Sequence, residues 1–259
     1  MGHLMYSTSA GDIAVDRAAL HAVETPQPLG SFHFPVDFGF FVDQVEHSLD
    51  THGLSIVAEE HAITKDRQSF FSVIEVDAKE GVLTAAGDWR MLVGLRGSHN
   101  QRTPREIVVG NKMLVCSNLC FSADLGRFST RQTINIWDRL PELINIAVRK
   151  IPAAANVQTL RIERYKDFGL KPAAGDALLT DMVRHDALAP SAIKRALKEW
   201  DDPSYAVHAA EGRTAWRLLN AVTEAQKPTG TTYNMHQIAD RTATATRLLD
   251  VATDFALAA

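Results

Sequence analysis

No run in this chain is apolar for long enough to cross a bilayer. The longest, such as Ile107 to Val109 and Met113 to Cys116, are strand-sized, far short of the roughly 20 residues that a membrane helix needs. Cysteine is nearly absent too. Cys116 and Cys120 are the two in 259 residues, and a chain of this size buries enough surface to fold without a disulfide staple. A reducing, cytoplasmic setting is therefore expected, that of the host cell if the gene is phage-borne. The stretch Met1 to Asp16 has no basic segment followed by an apolar one, so it does not read as a secretory signal. No glycine-rich phosphate loop follows any strand-like stretch, and no G-x-S-x-G motif occurs, which argues against P-loop and serine-hydrolase chemistry. Internal repeats and low-complexity tracts are also missing.

What is present is an uneven charge. The formal net charge of -4 hides three regions of different sign. Residues 1–89 hold 4 Lys/Arg against 14 Asp/Glu, residues 90–166 hold 13 against 5, and residues 167–259 hold 10 against 12. An acidic start followed by a basic middle predicts either a polyanion-binding surface or head-to-tail contact between subunits of a homo-oligomer.

The hydrophobic period changes along the chain in a way that predicts an α+β fold: an N-terminal helix and an antiparallel β meander, followed by a helical C-terminal half. Residues 1–34 show no clear period and contain Pro26, Pro28 and Gly30, so a flexible arm is expected, with at most a helical turn at Ile13 to Val23. Phe38, Phe41, Val45 and Leu49 stand at helical spacing after Pro35 and Asp37, and Gly53 follows where a helix would end. From Leu54 to Phe128, stretches rich in β-branched and aromatic residues alternate with turn signals at Lys79-Glu80-Gly81 and Gly97 to Pro104. Beyond residue 136 the period is helical again, over Trp137 to Lys150, Val157 to Phe168, Asp176 to His185, Ser191 to Trp200, Ala206 to Lys227 and His236 to Ala256. The expected organisation is an arm over 1–34, an α+β core over 35–169 and a helical region over 170–259.

The stretch Leu95 to Phe121, LRGSHNQRTPREIVVGNKMLVCSNLCF, holds a polar loop between two strand-like runs. It carries Arg96, His99, Asn100, Arg102, Arg105 and Lys112, and Arg127 and Arg131 follow. Basic loops on a rigid hairpin can track a phosphate backbone, because each neutralised phosphate releases counterions without reading sequence. Phe121, Phe128 and Trp89 are the aromatic candidates for base stacking. Competing chemistry is thinner. Cys116 and Cys120 with His99 supply three zinc ligands where a structural site needs four, so no metal and no cofactor is expected. Glu75-Val76-Asp77-Ala78-Lys79 superficially resembles the acidic sets of metal-dependent nucleases, and Glu59-Glu60-His61 is a second acidic cluster, but neither has the full constellation. Asp176 to Trp200 invites a helix-turn-helix reading, yet Ile193, Ala196, Leu197 and Trp200 form an apolar face that simple packing explains.

LRGSHN followed by VCSNLCFS, then LAPSAIKRALKEW, TAWRLLNAVTEAQK and RTATATRLLD, resembles the phage- and plasmid-borne family known as domain of unknown function 932. The resemblance spans roughly residues 35–250 and implies a mobile-element origin rather than a mechanism. In topology alone, helix then β meander then long helix is similar to phage single-strand annealing proteins. These form rings that bind single-stranded DNA in a basic groove.

The sequence thus predicts a non-enzymatic phage or plasmid protein that binds nucleic acid, with single-stranded DNA as the expected partner and recombination or genome protection as the role. A different class of reading makes the chain an inhibitor or decoy of a host defence protein, acting through acidic residues such as Asp43, Glu46 and Asp50. A third makes it a nucleotide-acting enzyme with His99 and Asn100 in its site.

Overall fold

The computed structural model describes residues 12–30, 32–80, 83, 89–113, 119–121, 126–227 and 235–254, without the side chains of 12, 112, 113, 119–121 and 235–239. The fold is mixed α+β: a short strand and helix, an antiparallel meander, then a helical C-terminal half. The first strand, β1 (Asp12–Val15), pairs antiparallel with β2 (Leu54–Thr64). Helix α1 (Arg17–His21) follows at once, capped by the Asp16 carboxylate on the Ala19 N–H at 2.7 Å. Leu20 and Val23 are buried. The segment expected to be a flexible arm is, over its described part, docked on the core. Pairing along β2 and the burial of these two side chains offset the entropy of ordering it.

Helix α2 (Phe38–Thr51) forms where its spacing predicts, and the Asp37 carboxylate caps it through the Phe40 N–H at 2.7 Å. Phe38, Phe41, Val45 and Leu49 face inward. The sheet then runs β2, β3 (Ser69–Ala78), β4 (Trp89–Ser98) and β5 (Arg105–Met113), all antiparallel neighbours. Two short strands, β6 (Leu119–Phe121) and β7 (Arg127–Thr130), both pair with β5. Strand β4 is buried along nearly its whole length, which explains its near-continuous apolar sequence: a strand covered on both faces has no reason to alternate.

Helix α3 (Ile136–Arg149) runs into α4 (Ile151–Asp167) with a break at Lys150, and Pro152 sits in the first turn of α4, where its missing N–H costs nothing. Next come α5 (Pro172–Arg184), a 3-10 turn at Pro190–Ala192 and α6 (Ile193–Asp201). The helix expected over Ala206 to Lys227 is interrupted. It forms α7 (Ala206–Ala210) and α8 (Ala215–Ala225), because Gly212 takes a left-handed φ of 72° and Thr214 starts a new helix by accepting from Arg217 N–H at 3.2 Å. The last helix is α9 (Met235–Ala252).

One contiguous apolar cluster joins Leu20 and Phe38 through Trp89 and Leu140 to Trp200, Trp216 and Leu249. A buried polar chain ties the sheet to the last helix. Asn111 of β5 accepts from Gln158 of α4 at 3.0 Å, Gln158 accepts from Arg161 at 2.9 Å, and Arg161 grips both oxygens of Asp250 on α9 at 3.0 Å. Tyr165 donates to the same carboxylate at 2.6 Å. The second helix of the helix-turn-helix candidate is packed, with Trp200 of α6 fully buried on Gly175 of α5 and Arg217 of α8 donating to the Trp200 and Asp201 carbonyls at 2.8 and 3.0 Å.

Candidate nucleic-acid interface

Strand alternation separates Arg96 from Arg105, and the loops carry His99, Asn100, Arg102 and Arg131. Arg96 on β4 lies directly opposite Glu106 on β5 and donates to it at 2.9 Å, with both side chains buried. Arg127 of β7 reaches the same carboxylate at 2.7 Å and approaches Asp240 of α9 at 3.5 Å. Two arginines and two carboxylates thus neutralise one another on one face of the sheet. A charge so engaged has little left for a phosphate.

Arg105, one residue before Glu106, must project to the opposite face. There it is fully buried, donates to the Val36 carbonyl and lies 4.8 Å from the centre of the Phe38 ring and 5.5 Å from that of Phe70. Gly97 leaves the space for it, since a Cβ there would stand 2.2 Å from the guanidinium. Burial pushes the Arg105 pKa down to about 9, partly offset by Asp37. His99 stacks on Phe38, ring centres 4.0 Å apart. Burial, with lesser contributions from Arg105 and His33, pushes its pKa down to about 3. Its ring is neutral at pH 7. Lys112 sits seven residues from Arg105 on β5, about 23 Å along the strand, and its side chain lies outside the described set, as does that of Cys120; Cys116 falls wholly outside it.

Arg102, Arg131 and Asn100 do come together at the loop end of the sheet. The β4–β5 loop is stapled by Ser98 and Thr103: the Ser98 N–H donates to the Thr103 carbonyl at 3.1 Å, and the Thr103 N–H donates to Ser98 Oγ at 2.8 Å. Asn100 accepts from the Arg102 N–H at 3.2 Å, and Gln101 takes a left-handed φ of 65°. The segment 32–36 lies alongside, with His33 Nε2 2.8 Å from the His99 carbonyl. Gln132 closes the third side. Its carboxamide accepts from the Val36 N–H and donates to the Ser98 carbonyl, both at 2.8 Å, while its own carbonyl accepts from the Phe34 N–H at 2.9 Å. These three segments enclose an open cleft of about 770 Å³, with Arg102, Arg131, Phe32 and His33 in its walls. Arg102 and Arg131 are exposed, and neither has a carboxylate within ion-pair distance among the described residues.

Phe32, His33 and Gln132 had no local signal; tertiary contact alone makes them neighbours. The aromatic candidates fare differently. Trp89 is fully buried and unable to stack on a base. Phe128 is half-buried beneath the Lys150 ammonium, 5.2 Å from its ring centre, and the Phe121 side chain lies outside the described set.

The acidic clusters are similarly engaged. Asp43 and Glu46 pair with Arg17, Asp50 with Lys79, and Glu59 accepts from Arg17 Nε at 3.1 Å. His61 stands 2.7 Å from Ser72 Oγ and 3.4 Å from Glu59, an order of groups that resembles a nucleophile triad. Ser72 is fully buried, so no substrate reaches it. Asp77 accepts from the Ala78 and Leu83 N–H groups at 2.8 Å each and so shapes a turn. Among the described residues no group of three His, Cys, Asp or Glu is placed to hold a metal ion, and no helix is long and apolar enough to cross a membrane.

No family model matches the chain. Neither a curated protein nor a solved structure matches it.

Proposed function

We propose that this protein binds a nucleic-acid strand at the loop end of its sheet, with single-stranded DNA as the ligand and strand annealing or genome protection as the role. The observation that carries the reading is the pair Arg102 and Arg131, two exposed arginines without an ion-pair partner among the described residues, in the walls of one cleft. Phosphates take such cations readily, because the released counterions supply the driving force. The cleft walls are backbone-stapled, so the arginines are presented by a fixed frame and their loops need little ordering on binding. His33, with one ring nitrogen held against the His99 carbonyl, adds a polar wall.

Arg96 and Arg105 inside the body support the fold rather than the ligand and Arg127 is paired with Glu106, so of the described side chains the reading rests on Arg102, Arg131 and the Asn100 that shapes the Arg102 loop. Fluorescence anisotropy of a labelled single-stranded oligonucleotide across a salt series is the test. Binding that weakens linearly in log–log form with salt is expected; no binding at low salt would discard the proposal.

A further inference from the structure

We infer that a short apolar stripe beside the cleft, Ile134, Trp137 and Phe40, is a base-stacking platform that makes the site selective for single strands; this rests on the reading of the cleft given above. The cleft wall ends at Thr133, and the chain then turns directly into α3. Ile134 is 58% exposed and Trp137, in the first turn of α3, is 51% exposed. The Trp137 ring meets Phe40 of α2 edge to face, with centres 5.8 Å apart at 71°, so the indole is braced on one side while half its surface stays open. Phe40 is itself 37% exposed. Phe32, in the cleft wall, is 82% exposed.

Aromatic side chains open to water at this density, next to two arginines without an ion-pair partner among the described residues, match what a single strand presents: phosphates for the cations and unpaired base faces for the rings. A duplex offers the phosphates but keeps its base faces in the stack. The remaining large aromatic rings of this type are withdrawn, since Trp89, Trp200 and Trp216 are all fully buried. An alternative occupant, a second copy of the chain, would use the apolar stripe but gives no role to the exposed cations of Arg102 and Arg131.

The burial pattern supplies its own probe, because Trp137 is the one exposed tryptophan of four. Intrinsic tryptophan emission that iodide can quench reports on it alone. An oligothymidylate added to the wild-type protein is expected to alter that emission and to shield it from iodide, whereas an equal length of duplex leaves it accessible. Trp137→Ala is expected to weaken oligothymidylate binding by anisotropy roughly ten-fold, Trp137→Phe to restore most of it, and Phe40→Ala to have a smaller effect, with thermal unfolding confirming that each variant is folded. Oligothymidylate binding with unaltered Trp137 emission and full affinity in Trp137→Ala would overturn the platform while leaving the cleft standing. A drop in particle mass in Trp137→Ala with unchanged DNA binding would assign the stripe to self-association instead. Failure of the wild-type protein to bind any oligonucleotide at low salt removes both readings.

Discussion

Four arginines in the body of the protein, Arg96, Arg105, Arg161 and Arg217, are withdrawn from water, whereas Arg102 and Arg131 at the loop end stand in it. Each of the inner four has a polar partner inside the fold. Arg96 has Glu106, Arg161 has Asp250, and Arg217 has two carbonyls at the end of α6. Arg105 is held by the Val36 carbonyl and two aromatic rings. The outer pair has no ion-pair partner among the described residues, and Arg102 feels only the more distant carboxylate of Asp66, whose pKa it helps to lower. The same residue type therefore does two jobs: inside, it fixes how strands and helices meet; outside, it offers charge to a ligand. Positive charge summed along the chain mixes the two, and only the place of each side chain in the folded protein separates them.

The comparison breaks first at Arg161. Replacing it with Ala leaves the Asp250 carboxylate without the bidentate partner that holds α9 to α4, and a loss of about 3–5 kcal/mol is expected in chemical denaturation; a loss under 1 kcal/mol would show that the inner arginines are not structural. Glu106→Gln is next. Arg96 stays buried with a weaker acceptor, and about 2–3 kcal/mol should be lost, while Arg127→Ala, at a half-exposed position, should lose less than half of that.

Acid sharpens the contrast further. The unfolded chain protonates His99 near pH 6.5, but the folded protein does so only near pH 3, so its contribution is intact above pH 6.5 and falls away as pH drops between those values. That amounts to about 2 kcal/mol at pH 5. Burial also lowers the His61 pKa and acts in the same direction. His99→Gln should flatten the decline measured by denaturant midpoints from pH 7 to pH 5; an unchanged slope would mean that His99 is not kept neutral by the fold. The smallest effect on stability is expected at the outer pair: Arg102→Glu with Arg131→Glu should shift unfolding by no more than about 0.5 kcal/mol.

Much of the framework is legible in the sequence because it is written locally. Phe38, Phe41, Val45 and Leu49 give the face of α2, Asp37 its cap, and the Gly97 to Pro104 interruption marks the hairpin loop. Strand β1 is harder to see: four residues, Asp12 to Val15, have no period of their own and become a strand only by pairing with β2. The break between α7 and α8 hides inside a continuous apolar pattern and depends on one backbone angle at Gly212.

The candidate site was half legible. Arg102 stands out as a cation in a turn, but nothing near Gln132 announces that its carboxamide bridges Val36 and Ser98. Arg105 and Arg102 look equivalent in sequence, three residues apart. One lies on the strand with its side chain turned into the core, and the other on the loop, so their environments could not differ more.

Anisotropy of a labelled single-stranded oligonucleotide, compared between the wild-type protein and the Arg102→Glu/Arg131→Glu variant across a salt series, tests the central claim most directly. The account predicts at least a ten-fold loss of affinity at low salt and a salt slope shallower by about one for each phosphate contact removed, with the fold intact. Equal affinity and an equal slope in the two proteins would contradict it.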